Sequence, residues 1–245
     1  MAFPKLDTPI YDVKLISTGK KIRIRPFLIK EQKLFLMASE SNDEGEILKT
    51  VKQVLKNCIL DDINIDELPI FDIEFLFLNL RARSVDEIVE LKYKCNNKKI
   101  KEDGNTSTCG NLVEFSVNLL EITPTLNEKH TTKIELTENV GIMMKYPTFN
   151  IIEKYESVNN NPELIVEIIS ECIDYVYDKD NIHYAKDQTK EEILEFIDNL
   201  QQKDLEKIKL FFDTIPELKK VLKFKCEKCG YEEDITVKGI QSFFV

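Results

Sequence analysis

Residue types that carry much of enzyme chemistry, or that make chains flexible, are scarce in this sequence. Its 245 residues include no tryptophan, two histidines, seven glycines and eight prolines. So few glycines and prolines argue against long flexible linkers, and His130 and His183 adjoin no nucleophile or metal-ligand spacing. A phosphate-binding glycine loop, a dinucleotide fingerprint and a nucleophile elbow are all missing from the sequence. We therefore expect a protein that is not an enzyme.

Long apolar runs are also missing. The densest apolar stretch, Ile70 to Leu80, is interrupted by Asp72, Glu74 and Asn79, whereas a membrane helix needs about 20 apolar residues. Residues 1–7 do not show the basic start and apolar core of a signal peptide. We therefore expect no membrane association and a location in the cytoplasm. Disulfides are rare there, so the six cysteines need another explanation.

An excess of basic residues is missing as well. The chain has 44 acidic and 34 basic side chains, which gives a formal charge of −10. Binding to a duplex needs a basic stripe that releases counterions, and the short basic stretches at 20–25 and 98–101 are balanced by acids or lie in predicted turns. We therefore do not expect nucleic acid as the main partner. Hydrophobic residues make up 42% of the chain, enough for one large globular domain or two small ones.

Some segments of the chain have a hydrophobic period of two residues, and others have apolar residues three or four apart. Strict alternation from Lys21 to Arg25 predicts one strand of a hairpin that starts near Val13. Apolar residues three or four apart predict helices at 29–39, 46–58, 70–82, 149–155, 162–175 and 203–213, and Thr189 with Glu192 predicts a capping box. Further strands are predicted at 87–94, 112–120, 132–136, 141–146 and within 222–245. This order predicts an α+β fold of mainly antiparallel strands flanked by helices.

The cysteines lie in an internal repeat. The stretch from Leu91 to Cys95 (LKYKC) reappears from Leu222 to Cys226 (LKFKC), and each copy continues to a Cys-Gly pair, Cys109-Gly110 or Cys229-Gly230. An alternating strand follows each pair. Two residues separate the cysteines of the second copy, which is zinc-knuckle spacing, whereas thirteen separate those of the first. Each copy therefore predicts a hairpin with cysteines at its tip.

Four thiolates from two such hairpins match the needs of a structural zinc ion, which takes tetrahedral ligands and favours sulfur. We predict that one zinc is bound by Cys95, Cys109, Cys226 and Cys229, in a zinc-ribbon-like element that joins the middle of the chain to its C-terminus. The glycine after each second cysteine permits a left-handed backbone angle. The long first loop is then an insertion at a surface tip, which adds little closure entropy. The alternative, four ordinary cysteines, is weakened by the repeat.

The remaining cysteines and two phenylalanine pairs have simpler explanations. Cys58 and Cys172 lie on apolar faces of predicted helices and are expected to pack in the core. The pair Phe211-Phe212 and the chain end Phe243-Phe244 are expected there too. For Phe243, Phe244 and Val245 a second interpretation stays open, namely docking on a partner, because an apolar chain end needs a cover.

The patterns divide the chain into three parts. Residues 1–86 are expected to hold the first hairpin and three helices. Residues 87–146 together with 221–245 are expected to form the strand-rich, zinc-ribbon-like part, and 147–220 a helical part inserted between the two knuckles. Whether these parts form one compact unit stays open.

Several stretches resemble a known family. They are Phe3 to Leu6 with the first hairpin, the Lys94-Cys95 and Cys109-Gly110 pairs, Phe211 to Pro216 leading into Phe224 to Gly230, and Gly239 to Phe244. They are similar to the baseplate hub and hub-assembly proteins of T-even-like bacteriophages, over most of the chain. The resemblance implies a non-enzymatic structural or assembly role in a contractile tail's baseplate, through contacts with other hub or tail proteins. It also implies a place in the cytoplasm of the infected bacterium, with incorporation into the virion tail left open, and it supplies no catalytic residue.

Two other functions stay open at this point. A nucleic-acid-binding zinc ribbon would need a basic face, which Lys92, Lys94, Lys98, Lys99, Lys101, Lys223 and Lys225 could form. A thiol oxidoreductase would need an exposed Cys226 with a low pKa, and its motif belongs before a helix, whereas a strand is expected after Cys229.

Overall fold

The computed structural model describes residues 6–41, 44–100, 106–151 and 162–239. This part of the chain combines helices with antiparallel strand pairs, which confirms the α+β prediction. The helices are α1 Ile29–Ser41, α2 Glu44–Cys58, α3 Ile70–Ser84, α4 Pro162–Glu171, α5 Lys190–Asp198 and α6 Gln202–Asp213. The strands are β1 Tyr11–Lys14, β2 Lys21–Ile24, β3 Ile88–Lys94, β4 Lys98–Ile100, β5 Thr106–Thr108, β6 Leu112–Asn118, β7 Lys133–Glu135, β8 Gly141–Met144, β9 Ile173–Tyr177, β10 Ile182–Tyr184, β11 Lys219–Lys225 and β12 Glu232–Lys238.

A first hydrophobic cluster combines the β1–β2 hairpin with α2 and α3. Alternation along the hairpin buries Val13, Ile22 and Ile24 and leaves Lys21 and Arg23 exposed. Helix α2 presents the apolar stripe expected from its spacing, formed by Val51, Val54, Leu55 and Cys58. The predicted hairpin and helices of this region are thereby confirmed.

The turn of this hairpin is tied to α3 by a buried carboxylate. Oδ1 of Asp72 accepts hydrogen bonds from the backbone amides of Ile16, at 2.7 Å, and Ser17, at 3.3 Å. Its Oδ2 accepts from the Ser17 hydroxyl. A helix side chain thus satisfies two turn amides that the hairpin leaves without strand partners.

Helix α3 is apolar on two opposite sides. Ile73, Leu76 and Phe77 face the first cluster, whereas Leu78 and Ala82, one turn apart, face a second. A helix that is hydrophobic all round must be covered on both sides. The dense apolar stretch at 70–80 therefore forms a central core helix.

The second cluster joins α3 to two long hairpins, β3–β6 and β11–β12. Each strand of both hairpins has seven residues, and both pairs are in register along their whole length. Their inward side chains pack with α3, and these are Val89, Leu91, Val117, Leu222 and Val237. The repeated sequence thus gives two hairpins of the same length whose inward side chains share one core.

A third cluster lies between a four-stranded sheet, in the order β10-β9-β8-β7, and α4 to α6. Phe211 of α6 is buried in it, as predicted, and Phe212 packs against it partly buried. The rings of His130, Tyr146 and Phe211 stack in one cluster, with the His130 centroid 5.5 Å from that of Tyr146 and 5.4 Å from that of Phe211, and these two 5.9 Å apart. The Nε2 of His130 lies 3.0 Å from the Tyr146 hydroxyl and its Nδ1 2.9 Å from that of Thr214. This histidine is therefore a structural group.

The helix predicted at 162–175 is confirmed over 162–171 and is wrong in its last four residues. Helix α4 ends at Glu171, and the chain continues as strand β9 from Ile173. The amide of Cys172 closes the helix by donating to the carbonyls of Ile168 and Ile169. Residues Ile173 to Tyr177 (IDYVY) are rich in β-branched and aromatic types, which favour a strand. Their pairing with β8 and β10 therefore prevails over continuation of the helix.

Other predicted elements are confirmed or lie outside the described residues. Thr189 and Glu192 form the capping box at the start of α5. Residues 149–151 are helical, but the rest of the predicted helix at 149–155 lies outside the described residues, and so do Phe243, Phe244 and Val245. No helix in the described part of the chain is long and apolar enough to cross a membrane. The three-part division of the chain stays a prediction.

Candidate metal centre

Two hairpins bring four cysteines to one place. Cys95 directly follows β3 and Cys109 lies just before β6, while Cys226 follows β11 and Cys229 lies in the turn before β12. Their Sγ atoms all lie within 4.8 Å of one another, although Cys95 and Cys229 are 134 positions apart in sequence. The sequence-predicted cysteines thus meet, as the zinc-ribbon hypothesis requires.

The two knuckles have the same backbone geometry. In the first, the amide of Gly110 donates to the carbonyl of Cys95 over 3.0 Å, and in the second, Gly230 donates to Cys226 over 2.8 Å. Both glycines have left-handed φ angles, +69° and +72°. A side chain would strain this conformation, and so glycine follows the second cysteine in both copies.

The thirteen residues between Cys95 and Cys109 contain a hairpin of their own, β4–β5. Its base is closed by a 2.9 Å hydrogen bond from the amide of Cys109 to the carbonyl of Asn97. Residues 98–108 are therefore inserted between Asn97 and Cys109. Without them the first knuckle would read Cys-Asn-Asn-Cys-Gly, which has the spacing of Cys226 to Gly230.

Two of the distances between the four sulfurs match those of a tetrahedral metal site. Zinc–sulfur bonds of about 2.3 Å place the sulfurs of a tetrahedral site about 3.8 Å apart. In this cluster Cys95 Sγ lies 3.6 Å from Cys229 Sγ, and Cys109 Sγ lies 3.8 Å from Cys226 Sγ. Four thiols also suit zinc chemically, so donor type and geometry both match a structural site with no open ligand position.

The cysteines differ in exposure and in acidity. Cys95 and Cys226 are fully buried, and Cys109 and Cys229 are partly buried. Burial raises the pKa of the Cys95 thiol to about 12. Hydrogen bonds from the Asn97 side chain and the Tyr231 amide lower the pKa of Cys229 to about 6. Metal binding would therefore have to displace protons from this cluster, and it would weaken as the pH falls.

Aromatic side chains cover the inner side of the cluster. Phe224 is buried beside the cysteines, with its ring centroid 6.2 Å from that of Phe115 and 6.4 Å from that of Tyr231. Phe224 belongs to the repeated LKFKC stretch, and Tyr93 occupies the same place in the first copy. The repeated aromatic position therefore supplies an apolar wall that limits water access to the sulfurs.

The two other cysteines take no part in this cluster. Cys58 and Cys172 are fully buried in the first and third hydrophobic clusters, as expected for core residues. Cys172, however, lies just past the end of α4 rather than on a helix face. Burial raises the pKa of Cys58 to about 11 and that of Cys172 to about 12. Both thiols are therefore protonated and poorly reactive at neutral pH.

The basic face of the nucleic-acid hypothesis is weakened at two of its seven lysines. Lys92 pairs with Glu114 at 2.7 Å and Lys225 with Glu232 at 2.6 Å, each across its own hairpin. The side chain of Lys99 and the whole of Lys101 lie outside the described residues. The oxidoreductase hypothesis also lacks its main requirement, because Cys226 is fully buried.

One contact at the site was not predicted from the sequence. The side-chain Nδ2 of Asn97 donates to Cys229 Sγ over 3.5 Å, from one knuckle to the other. Counting from Cys109-Gly110 alone hides this residue among the thirteen that separate Cys95 from Cys109. Counting two residues on from Cys95 would have placed it at the knuckle position next to Cys109.

The fold and the cysteine cluster together define an α+β protein with a ribbon-like candidate metal centre. The chain belongs to the T4 bacteriophage base plate protein family, whose model matches residues 8–245. This confirms the resemblance to T4-like baseplate proteins drawn from the sequence. No curated protein and no solved structure matches the chain.

Proposed function

We propose that this protein is a structural or assembly component of the baseplate hub in a contractile phage tail. The observation that carries the proposal is membership of the base plate family over nearly the whole chain. The protein acts through contacts with other hub or tail proteins. It does so in the cytoplasm of the infected bacterium, where baseplates are built, and we assign it no membrane or nucleic-acid partner.

The metal in this proposal is zinc, held by Cys95, Cys109, Cys226 and Cys229. Support comes from the four sulfurs within 4.8 Å of one another and from the two matching knuckles. Its role is structural, because four protein ligands leave no position for a substrate or water. The ion would clamp the hairpin in the middle of the chain to the hairpin near its end.

A non-enzymatic role agrees with the chemistry of the described residues. The ring nitrogens of His130 are both used in contacts with Tyr146 and Thr214. His183 is exposed and pairs with Asp178 at 2.9 Å. Both histidines are therefore engaged in contacts within the fold.

Partner contacts are assigned to the C-terminal residues Phe243, Phe244 and Val245. An apolar end of this kind suits insertion into a pocket of a neighbouring protein. In this proposal, the zinc clamp holds the β11–β12 hairpin against the β3–β6 hairpin. Removal of 243–245 tests the assignment directly.

The function is tested by infecting cells with phage that encode a tagged copy and identifying the co-purified proteins by mass spectrometry. We expect baseplate hub or tail proteins to co-purify with the wild-type chain. We expect them to be lost when residues 243–245 are removed, and to be retained by the matched variant Asp12→Ala, which changes an exposed strand residue. Capture of no baseplate component by the wild-type chain would contradict the proposal.

A further inference from the structure

Asn97 contacts three of the four clustered cysteines. Its backbone amide donates to the sulfur of Cys95, and its carbonyl accepts from the amide of Cys109 at 2.9 Å. Its side-chain Nδ2 donates to Cys229 Sγ at 3.5 Å. The first two contacts lie within one knuckle, but the third crosses to the other hairpin.

The neighbouring and equivalent positions have no such role. Asn96 has the same side chain but is exposed. Lys228 occupies the corresponding position of the second knuckle, two residues after Cys226, and is also exposed. The half-buried Asn97 amide therefore breaks the near-symmetry of the two knuckles by supplying one side-chain donor to the cluster.

We propose that Asn97 is a positioning residue of the metal centre, whose side-chain amide holds the Cys229 thiolate across the two hairpins and strengthens metal binding. This inference rests on the proposed four-cysteine zinc centre and deepens it. It also explains how the insertion of residues 98–108 is tolerated, because Asn97 keeps its contacts to the cysteines on both sides of the insertion.

The physical basis is charge. Four thiolates around a divalent cation leave excess negative charge on the sulfurs, and N–H donors reduce it. An outer-shell partner of this kind typically contributes about 10–100-fold to metal affinity. A carboxylate in the same place would remove the donor and add a negative charge beside Cys229.

The test compares Asn97→Ala and Asn97→Asp with the wild type, and uses Asn96→Ala and Lys228→Ala as matched controls. Zinc affinity is measured on the purified full chain by competition with a chelator. We expect affinity to fall about 10-fold or more in N97A, further in N97D, and to be unchanged in both controls. This order of zinc affinities distinguishes a hydrogen-bonding role from a space-filling one. Aspartate has the shape of asparagine, so N97D would be the milder change if Asn97 only filled space.

Cobalt gives a second readout at the sulfurs. In cobalt-loaded protein, losing the N–H donor should move the sulfur-to-metal charge-transfer band to lower energy in N97A but not in N96A. If N97A does not fold, the isosteric N97D is compared with N96A instead. Affinities and spectra equal to those of N96A, or N97D binding more tightly than N97A, overturn this inference alone. A wild-type chain that binds neither zinc nor cobalt overturns the zinc centre together with it.

Discussion

Buried polar side chains fix the position of neighbouring elements at the scale of single residues, and Asp72 is the clearest case. Asp72 is fully buried, and Asp72→Ala would leave the partly buried amides of Ile16 and Ser17 without their acceptor. We expect a loss of about 3 kcal/mol in the free energy of unfolding, because uncompensated donors cost about 1–3 kcal/mol each. Urea denaturation measures this loss.

The matched control for that change is Asp12→Ala. Asp12 is exposed on β1, so its removal should change the free energy of unfolding by less than about 0.5 kcal/mol. Equal effects of the two substitutions would contradict the role assigned to Asp72.

His130 gives a pH dependence of stability whose sign follows from its surroundings. The Thr214 hydroxyl donates to the carbonyl of Leu210 over 2.6 Å, so it accepts from Nδ1–H of His130, and Nε2 accepts from Tyr146. Burial lowers the pKa of His130 below 6.5. Between the lowered pKa of the folded state and about 6.5, the imidazole binds a proton in the unfolded chain but not in the folded chain. The free energy of unfolding therefore decreases as the pH falls below about 6.5.

We therefore expect His130→Gln to reduce the drop in urea midpoint between pH 7.5 and pH 5.5. His183→Gln serves as the control, because His183 is exposed and lies outside the stacked cluster. The drop should persist in H183Q. A drop in H130Q as large as in the wild type would show that other groups set the pH dependence.

The four cysteines could be found from sequence because zinc-knuckle spacing and the LKYKC and LKFKC repeat are local patterns. Asn97 could not, since its contact to Cys229 spans 132 positions and depends on how the two hairpins face each other. Spacing therefore predicts candidate ligands, whereas the groups that orient them emerge only from tertiary packing.

At the scale of secondary-structure elements, the strongest prediction concerns the inserted hairpin β4–β5. Deleting residues 98–108 joins Asn97 to Cys109. The amide of Cys109 already donates to the carbonyl of Asn97 over 2.9 Å. We expect the shortened chain to fold and to bind as much zinc as the wild type, because its first knuckle regains the spacing of the second. Zinc content by elemental analysis and circular dichroism measure both properties.

The control for the deletion is the same shortened chain carrying Cys95→Ser, which should lose the metal. Loss of zinc from the shortened chain without that substitution would mean that the insertion is part of the site, and the two knuckles would then not be equivalent.

The elements also show where sequence patterns reach their limit. Helix α2 and the β1–β2 hairpin were predictable, because α2 carries apolar residues three or four apart and the alternation from Lys21 to Arg25 is strict. The helix predicted at 162–175 includes the first three residues of strand β9, because the apolar residues from Leu164 to Ile173 continue the helical spacing past the true end of α4. Only the partners β8 and β10 decide that Ile173 to Tyr177 is a strand, and sequence-local rules do not include them.

At the scale of the whole molecule, the proposed clamp links distant parts of the chain. Cys109 and Cys226 are 117 positions apart, yet their sulfurs lie 3.8 Å from each other. Joining the two ends of so long a segment lowers the conformational entropy of the chain considerably, although this loss grows only slowly with the length of the segment. A clamp of this kind would give a baseplate component a rigid frame from which its partner contacts emerge.

The central claim is that four cysteines bind one zinc ion, and elemental analysis of the purified protein tests it most directly. We predict one zinc per wild-type chain and per Cys58→Ala chain, and much less than one in each of Cys95→Ser, Cys109→Ser, Cys226→Ser and Cys229→Ser. Cys58 is the control because it is buried in another cluster. A wild-type chain without zinc, or single variants of the four that retain a full equivalent, would contradict the claim.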